Sequence, residues 1–253
     1  MMTRSERMEY LIRYLAPAIN IPKKEEEKWI LLRSLLNIRA PLPVSKDFLE
    51  VQNEFLKVEI SFKGITDISQ LTPIRDQIYL WQGDITTLAA DGIVNAANSR
   101  MLGCFLPCHH CIDNAIHTYA GVQLRIACAE QMHKQGFDEP VGRAKITSAY
   151  NLPSNYILHT VGPTINNQLT EKHCEQLASC YRSCLDLAVQ HDLASLAFCC
   201  ISTGEFHFPK KRAAEIAIQT VTDYNRLNKK IKVIFNVFKK ADYDIYQELL
   251  RTD

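Results

Sequence analysis

The chain is 253 residues long, 47% hydrophobic and 23% charged, which excludes a disordered tail, a collagen and a disulfide miniprotein. Lys and Arg number 29 against 28 Asp and Glu, a net charge of +1, so nothing pulls the whole molecule toward nucleic acid or membrane and any polyanion must be held locally. Nine cysteines cannot all pair internally. There is no apolar signal core near the N-terminus and no run near the roughly 18 residues that spans a bilayer, so the sequence reads as cytoplasmic, with reduced thiols and with neither a nucleic acid nor a membrane as partner.

Residues 1–75 read as a helical N-terminal extension without evident chemistry. Tyr10, Leu11, Tyr14 and Leu15 share a helical face, and Trp29, Leu32, Leu36 and Ile38 follow a charged run at near-helical spacing. Pro41 and Pro43 stop that helix, and Ser45 is the expected N-cap of the next, with Phe48, Leu49, Phe55 and Leu56 apolar. So short a set of helices buries little core alone, and the expectation is that it docks on the larger domain.

Residues 76–253 change texture. Short apolar runs predict strands over Ile78–Gln82, Gly92–Ala96, Ala144–Tyr150, Tyr156–Val161, Ser195–Ile201 and Lys232–Phe238. Helical patterns lie between them, over Ile112–Gln135, Glu171–Gln190, Lys210–Leu227 and Tyr243–Leu250. The alternation predicts an α/β fold with its sheet between helices, and the missing long helix between the first two strands predicts a mixed sheet.

Ligands of such folds bind beyond the carboxyl ends of strands, and three loops have the small, polar character this requires. They are Gly83-Asp84-Ile85, the stretch from Asn95 to Asp113, and Ser202-Thr203-Gly204-Glu205-Phe206 ahead of a helix that opens after Pro209. The third could hold phosphate on backbone amides without net positive charge. The second places Cys104, Cys108, His109, His110 and Cys111, five soft or borderline metal donors, within eight positions. Thiolate and imidazole suit zinc, and three local ligands with an open fourth position fit a catalytic site better than a structural finger. Spacing alone leaves open which cysteines and which histidine would bind.

Four segments then carry a resemblance: Gly-Asp-Ile-Thr, Asp-Gly-Ile-Val-Asn-Ala-Ala-Asn-Ser, Ile-Asp-Asn-Ala-Ile-His and Ile-Ser-Thr-Gly-Glu-Phe-His-Phe-Pro. In this order they resemble the macrodomain, an ADP-ribose-binding fold, over about residues 77–253. A glycine run typical of that fold is replaced here by Gly-Cys-Phe-Leu-Pro-Cys-His-His-Cys. With the helical extension, this resembles the zinc-dependent branch of macrodomain protein-ADP-ribose hydrolases.

The resemblance implies an enzyme that removes mono-ADP-ribose from modified proteins by cleaving the glycosidic or ester bond to the distal ribose, with Zn2+ as cofactor. It also implies pairing with a sirtuin-type ADP-ribosyltransferase and a lipoyl-carrier protein as substrate. The branch pattern Gly-Cys-Phe-x-Pro-x-His-x-Cys-Ile-Asp-Asn implies Cys104, His109 and Cys111 as the metal ligands and leaves Cys108 and His110 at variable positions. Asp84 and Ile85 match the adenine-binding positions, Asn98 and Phe206 those beside the distal ribose, Ile112 and Asp113 further substrate contacts, and Ser202, Thr203, Gly204 and Glu205 the diphosphate loop. Asn98 and Asp113 are the expected catalytic pair, with Asp113 orienting water or accepting its proton, although a plain helix N-cap is also open to Asp113. Two thiolates would temper the Lewis acidity of zinc and favour a positioning role for it. The competing expectation is a non-catalytic ADP-ribose reader with a structural zinc loop. His117 is expected to pack, and cysteines 128, 174, 180, 184, 199 and 200 to lie in the core.

Overall fold

The computed structural model describes residues 2–227 and 231–251. Three helices come first: α1 (Arg4–Leu15), α2 (Glu25–Ile38) and α3 (Lys46–Lys63). Thr3 and Glu6 form a capping box at the start of α1, and Ser45 caps α3 by accepting the Phe48 amide at 3.2 Å. The inward face of α1 is Met8, Leu11 and Ile12, one step round from the face expected, and Tyr14 is exposed. On α2 the polar Lys28 and Asn37 are buried while Ile38 is exposed, because Lys28 meets Ser5 and Glu9 of α1 and Asn37 serves a loop described below.

The short strands β1 (Thr66–Asp67) and β3 (Leu88–Ala89) pair in parallel on either side of β2 (Ile78–Gln82) in the chain. Then come β4 (Gly92–Ala97), α4 (Ile112–Ala120), α5 (Val122–Gln135), β5 (Ala144–Ser148), β6 (Tyr156–Val161), α6 (Glu171–Gln190), β7 (Ser195–Phe198), α7 (Lys210–Leu227), β8 (Lys232–Val237) and α8 (Lys240–Arg251). The main sheet runs β2-β8-β7-β4-β6-β5. It is mixed, as expected, but for another reason: β2 and β4 both run parallel to their neighbours, and the antiparallel strand is β5 at the far edge. Helices α6, α7 and α8 pack on one side, and α4 and α5 on the other with α2 and α3 against α4. Strands β4, β6 and β7 are almost wholly buried, as a sheet covered on both faces requires.

Three expected bounds change for identifiable reasons. The single helix expected over Ile112–Gln135 is two, broken at Gly121, where φ is +95°. A side chain there would stand 2.7 Å from Gln52 Nε2 and 2.9 Å from Asn151 Nδ2, so the break occurs where α3 crosses. The third and fifth strands end early, at Ser148 and Phe198, ahead of the left-handed residues Tyr150 and Ser202. Because β2, β7 and β4 run parallel, the loops that follow them gather on one edge of the sheet, and these are the three loops singled out in the sequence.

Candidate functional site

The first loop opens with Asp84, two-thirds buried in side chain and held from three directions. Its Oδ1 accepts the Thr86 amide at 3.0 Å and the Thr86 hydroxyl at 2.6 Å, and its Oδ2 accepts Lys63 Nζ of α3 at 2.6 Å. Asp84 thereby caps the single turn Ile85–Thr87 and remains an acceptor at the same time. Burial works to raise its carboxyl, but Lys63 and the two Thr86 bonds outweigh it and hold it below the ordinary value. Ile85 itself is buried.

The second loop carries the densest chemistry. The donor atoms of Cys104, His109 and Cys111 all lie within 4.8 Å of one another, with Cys104 Sγ and His109 Nδ1 3.6 Å apart. Thiolate and imidazole together make a donor set suited to zinc. Cys108 is turned away, its sulfur 3.3 Å from Ser34 Oγ on α2 and its amide donating to Asn37 Oδ1 at 2.9 Å. Arg33 donates to the His109 carbonyl at 3.0 Å and to Asn114 Oδ1 at 2.9 Å, so α2 braces the loop from outside. Arg125 braces it from within, donating to the Leu102 carbonyl at 2.7 Å and stacking 4.3 Å from the Phe105 ring centre. The loop enters through Gly103 at φ +78°, whose missing side chain lets it rest on the His117 ring, 2.7 Å from where a Cβ would stand.

Cys111, not Asp113, is the N-cap of α4: its sulfur accepts the Asn114 amide at 3.4 Å. The capping role considered for Asp113 is therefore taken, and its carboxylate points to Asn95 Nδ2 at 2.8 Å and Asn98 Nδ2 at 3.3 Å. Burial pushes its carboxyl up to about 6 against the pull of these two amides and of Arg125. Asn98 also donates to the Gly103 carbonyl at 3.2 Å and so ties Asp113 to the start of the cysteine loop. Ile112 is half-buried on the same turn.

Behind Asp113 lies a second group of donors, His117, Cys128 and His159, also within 4.8 Å of one another. Asn95 Nδ2 reaches His159 Nδ1 at 3.2 Å and Thr147 Oγ1 lies 3.0 Å from His159 Nε2. With Asn95 Nδ2 as donor, His159 is the neutral tautomer protonated on Nε2 and both of its ring nitrogens are used, whereas neither buried ring nitrogen of His117 has a hydrogen-bond partner among the described residues. Cys128, Cys174, Cys180, Cys184 and Cys199 are buried, as expected, and Cys200 nearly so.

In the third loop Ser202 is buried with φ +64°, and its hydroxyl has no partner among the described residues. Thr203 and His207 close turns onto Cys200 and Gly204. Among the described residues no acceptor takes the amides of Gly204, Glu205 or Phe206, and Gly204 and Glu205 are exposed. Glu205 Oε1 stands 3.8 Å from His109 Nε2, which links this loop to the cysteine loop. Sequence reasoning missed Asn95, Arg33, Asn37, Arg125 and Lys63. Asn95 lies inside a motif and could have been found there, whereas the other four are ordinary polar residues on helices.

The Macro domain family matches residues 94–217 of this chain. A protein-ADP-ribose hydrolase of Treponema medium is 51% identical over 260 residues, covering 98% of this chain and 100% of that protein. The chain belongs to the macrodomain protein-ADP-ribose hydrolases. Among solved structures, the Oceanobacillus iheyensis macrodomain with ADP is 40% identical with a TM-score of 0.65, and covers 72% of this chain and 94% of that one. The Trypanosoma brucei macrodomain in complex with ADP-ribose is 27% identical with a TM-score of 0.64, and covers 99% of this chain and 91% of that one. Among the described residues no helix is long and apolar enough to cross a membrane.

Proposed function

We propose that this macrodomain is a zinc-dependent hydrolase that removes mono-ADP-ribose from modified proteins by cleaving the bond to the distal ribose. The observation that carries the reading is the junction at Asn98. One amide nitrogen reaches both the Asp113 carboxylate and the Gly103 carbonyl, where the Cys104, His109 and Cys111 loop begins. A carboxylate, a ribose-binding amide and a soft donor set therefore share one corner of the site.

The chain's own residues divide the task along the ligand. Asp84 accepts the exocyclic amine of adenine and Ile85 offers its backbone beside it. The loop Ser202–Phe206 meets the diphosphate with the amides of Gly204, Glu205 and Phe206 and with the Ser202 hydroxyl; that these have no partner among the described residues supports anion binding in a protein of nearly zero net charge. Phe206 and Ile112 flank the distal ribose, and Asn98 holds one of its hydroxyls. Asp113, held by two amides, orients the attacking water and accepts its proton. Cys104, His109 and Cys111 would hold Zn2+, which supplies Lewis acidity tempered by two thiolates and an anchor for a ribose oxygen. Glu205, facing the other His109 nitrogen, orients that imidazole.

A sirtuin-type ADP-ribosyltransferase as functional partner and a lipoyl-carrier protein as substrate complete the reading. The test is a time course of ADP-ribose release from a carrier protein modified by such a transferase, for wild type and Cys104→Ala, with zinc content and melting temperature recorded for each. Release by wild type that is lost in a folded, zinc-poor variant is the expected result. Tight ADP-ribose binding with no release from any modified protein would make the chain a reader whose zinc loop is structural.

A further inference from the structure

We infer that Lys63, the last residue of α3 in the N-terminal helices, is a positioning residue of the adenine subsite that fixes the Asp84 carboxylate for an exocyclic amine. The inference rests on the reading of Asp84 as the adenine acceptor and adds to it a residue outside the sheet domain.

A carboxylate offers about four acceptor directions. In Asp84, Thr86 takes both directions of Oδ1 through its amide and its hydroxyl. Lys63 takes one direction of Oδ2 at 2.6 Å, so the single direction left belongs to Oδ2 and its orientation is set by the lysine. The ammonium is itself held from a second side, because Nζ sits 3.5 Å from the centre of the Tyr119 ring, and Tyr119 is 9% exposed. The helix that carries Lys63 is anchored by Phe55, Leu56 and Ile60, all buried. A lysine on a mobile tail would compete with adenine for Asp84. A lysine on an anchored helix, clamped between a carboxylate and an aromatic face, holds the acceptor in place.

The geometry has a consequence for specificity. An amine at the purine 6-position donates to the remaining Oδ2 direction, whereas a carbonyl there would face an acceptor with an acceptor. That rejection depends on Asp84 being unable to turn, and Lys63 is what prevents the turn from the exposed side.

The test is calorimetric titration of the zinc-loaded full chain with ADP-ribose and with its 6-oxo analogue, inosine diphosphate ribose. Wild type, Lys63→Met, Lys63→Gln, Asp84→Asn and the double variant Lys63→Met with Asp84→Asn are compared. Loss of about 10-fold in ADP-ribose affinity in Lys63→Met and Lys63→Gln is expected, with a smaller preference for ADP-ribose over the analogue. In the Asp84→Asn background the lysine change should have no further effect, a non-additivity that a merely structural lysine would not produce. Unchanged affinity and preference in both lysine variants, beside a loss in Asp84→Asn, would overturn this inference alone. Tighter binding in the lysine variants would overturn it by making Lys63 a competitor. No change in Asp84→Asn would overturn the adenine reading and this inference with it.

Discussion

The N-terminal helices and the sheet domain reach the same site by opposite routes. In the sheet domain the chemistry is carried on loops at the ends of buried parallel strands, and each reactive side chain belongs to a recognisable motif. In the helices nothing looks reactive, yet Arg33 and Asn37 brace the cysteine loop and Lys63 grips Asp84. Loops presenting donors and carboxylates gain precision only when something rigid holds them from behind, and here a docked three-helix layer does so. A segment without chemistry of its own can thus determine how well the chemistry next to it is aimed.

The comparison breaks most sharply at Asp113. Asp113→Asn should lower the initial rate of ADP-ribose release by about 10²–10⁴-fold while ADP-ribose affinity stays within about threefold. A rate within tenfold of wild type would remove Asp113 from the catalytic role.

Next in size is an acid effect at His159 in the sheet. Burial holds His159 at about 3, far below the ordinary imidazole near 6.5, so the folded protein keeps it neutral. The contribution to stability is complete above about pH 6.5 and is lost progressively as pH falls toward 3, because the unfolded chain takes up the proton first. His159→Gln, which can still serve Asn95 and Thr147, should flatten the fall in denaturation midpoint between pH 6.5 and 4. An equally steep fall in the variant would assign the acid sensitivity elsewhere.

Two changes at the join of the regions should be smaller. Arg33→Ala removes the donors to the His109 carbonyl and to Asn114 and should weaken zinc binding by about 10–100-fold in a chelator competition, with little change in Tm. Unaltered zinc affinity would mean that α2 does not support the loop. Gly121→Ala forces a side chain toward Gln52 at φ +95° and should destabilise the fold by about 1–3 kcal/mol in urea denaturation. The smallest effect belongs to Phe62→Ser on the outer face of α3, 81% exposed, with a change within about 0.5 kcal/mol.

What could be read from the sequence follows the same division. The strands were visible because short apolar runs between turn residues are what a sheet covered on both faces demands, and the helices Glu171–Gln190 and Lys210–Leu227 stand at the expected bounds. The break at Gly121 was not visible, since its cause is α3 crossing from about 70 positions earlier in the chain, at Gln52. Nor could the sequence say that a cysteine, where Ser, Thr, Asp or Asn is usual, would cap α4 and free Asp113. The motif residues Asp84, Asn98, Cys104, His109, Cys111, Asp113 and Ser202 were named from pattern. Their supports were not, because Lys63, Arg33 and Arg125 are cations on amphipathic helices, where most cations are solvated.

The most direct measurement is a crystal structure of the full chain grown with Zn2+ and ADP-ribose, with anomalous data at the zinc edge. The account predicts one strong anomalous peak bound by Cys104, His109 and Cys111, the distal ribose between it and Asn98 and Asp113, and the adenine amine on Asp84. A peak elsewhere, or a distal ribose turned away from the cysteine loop, would contradict it.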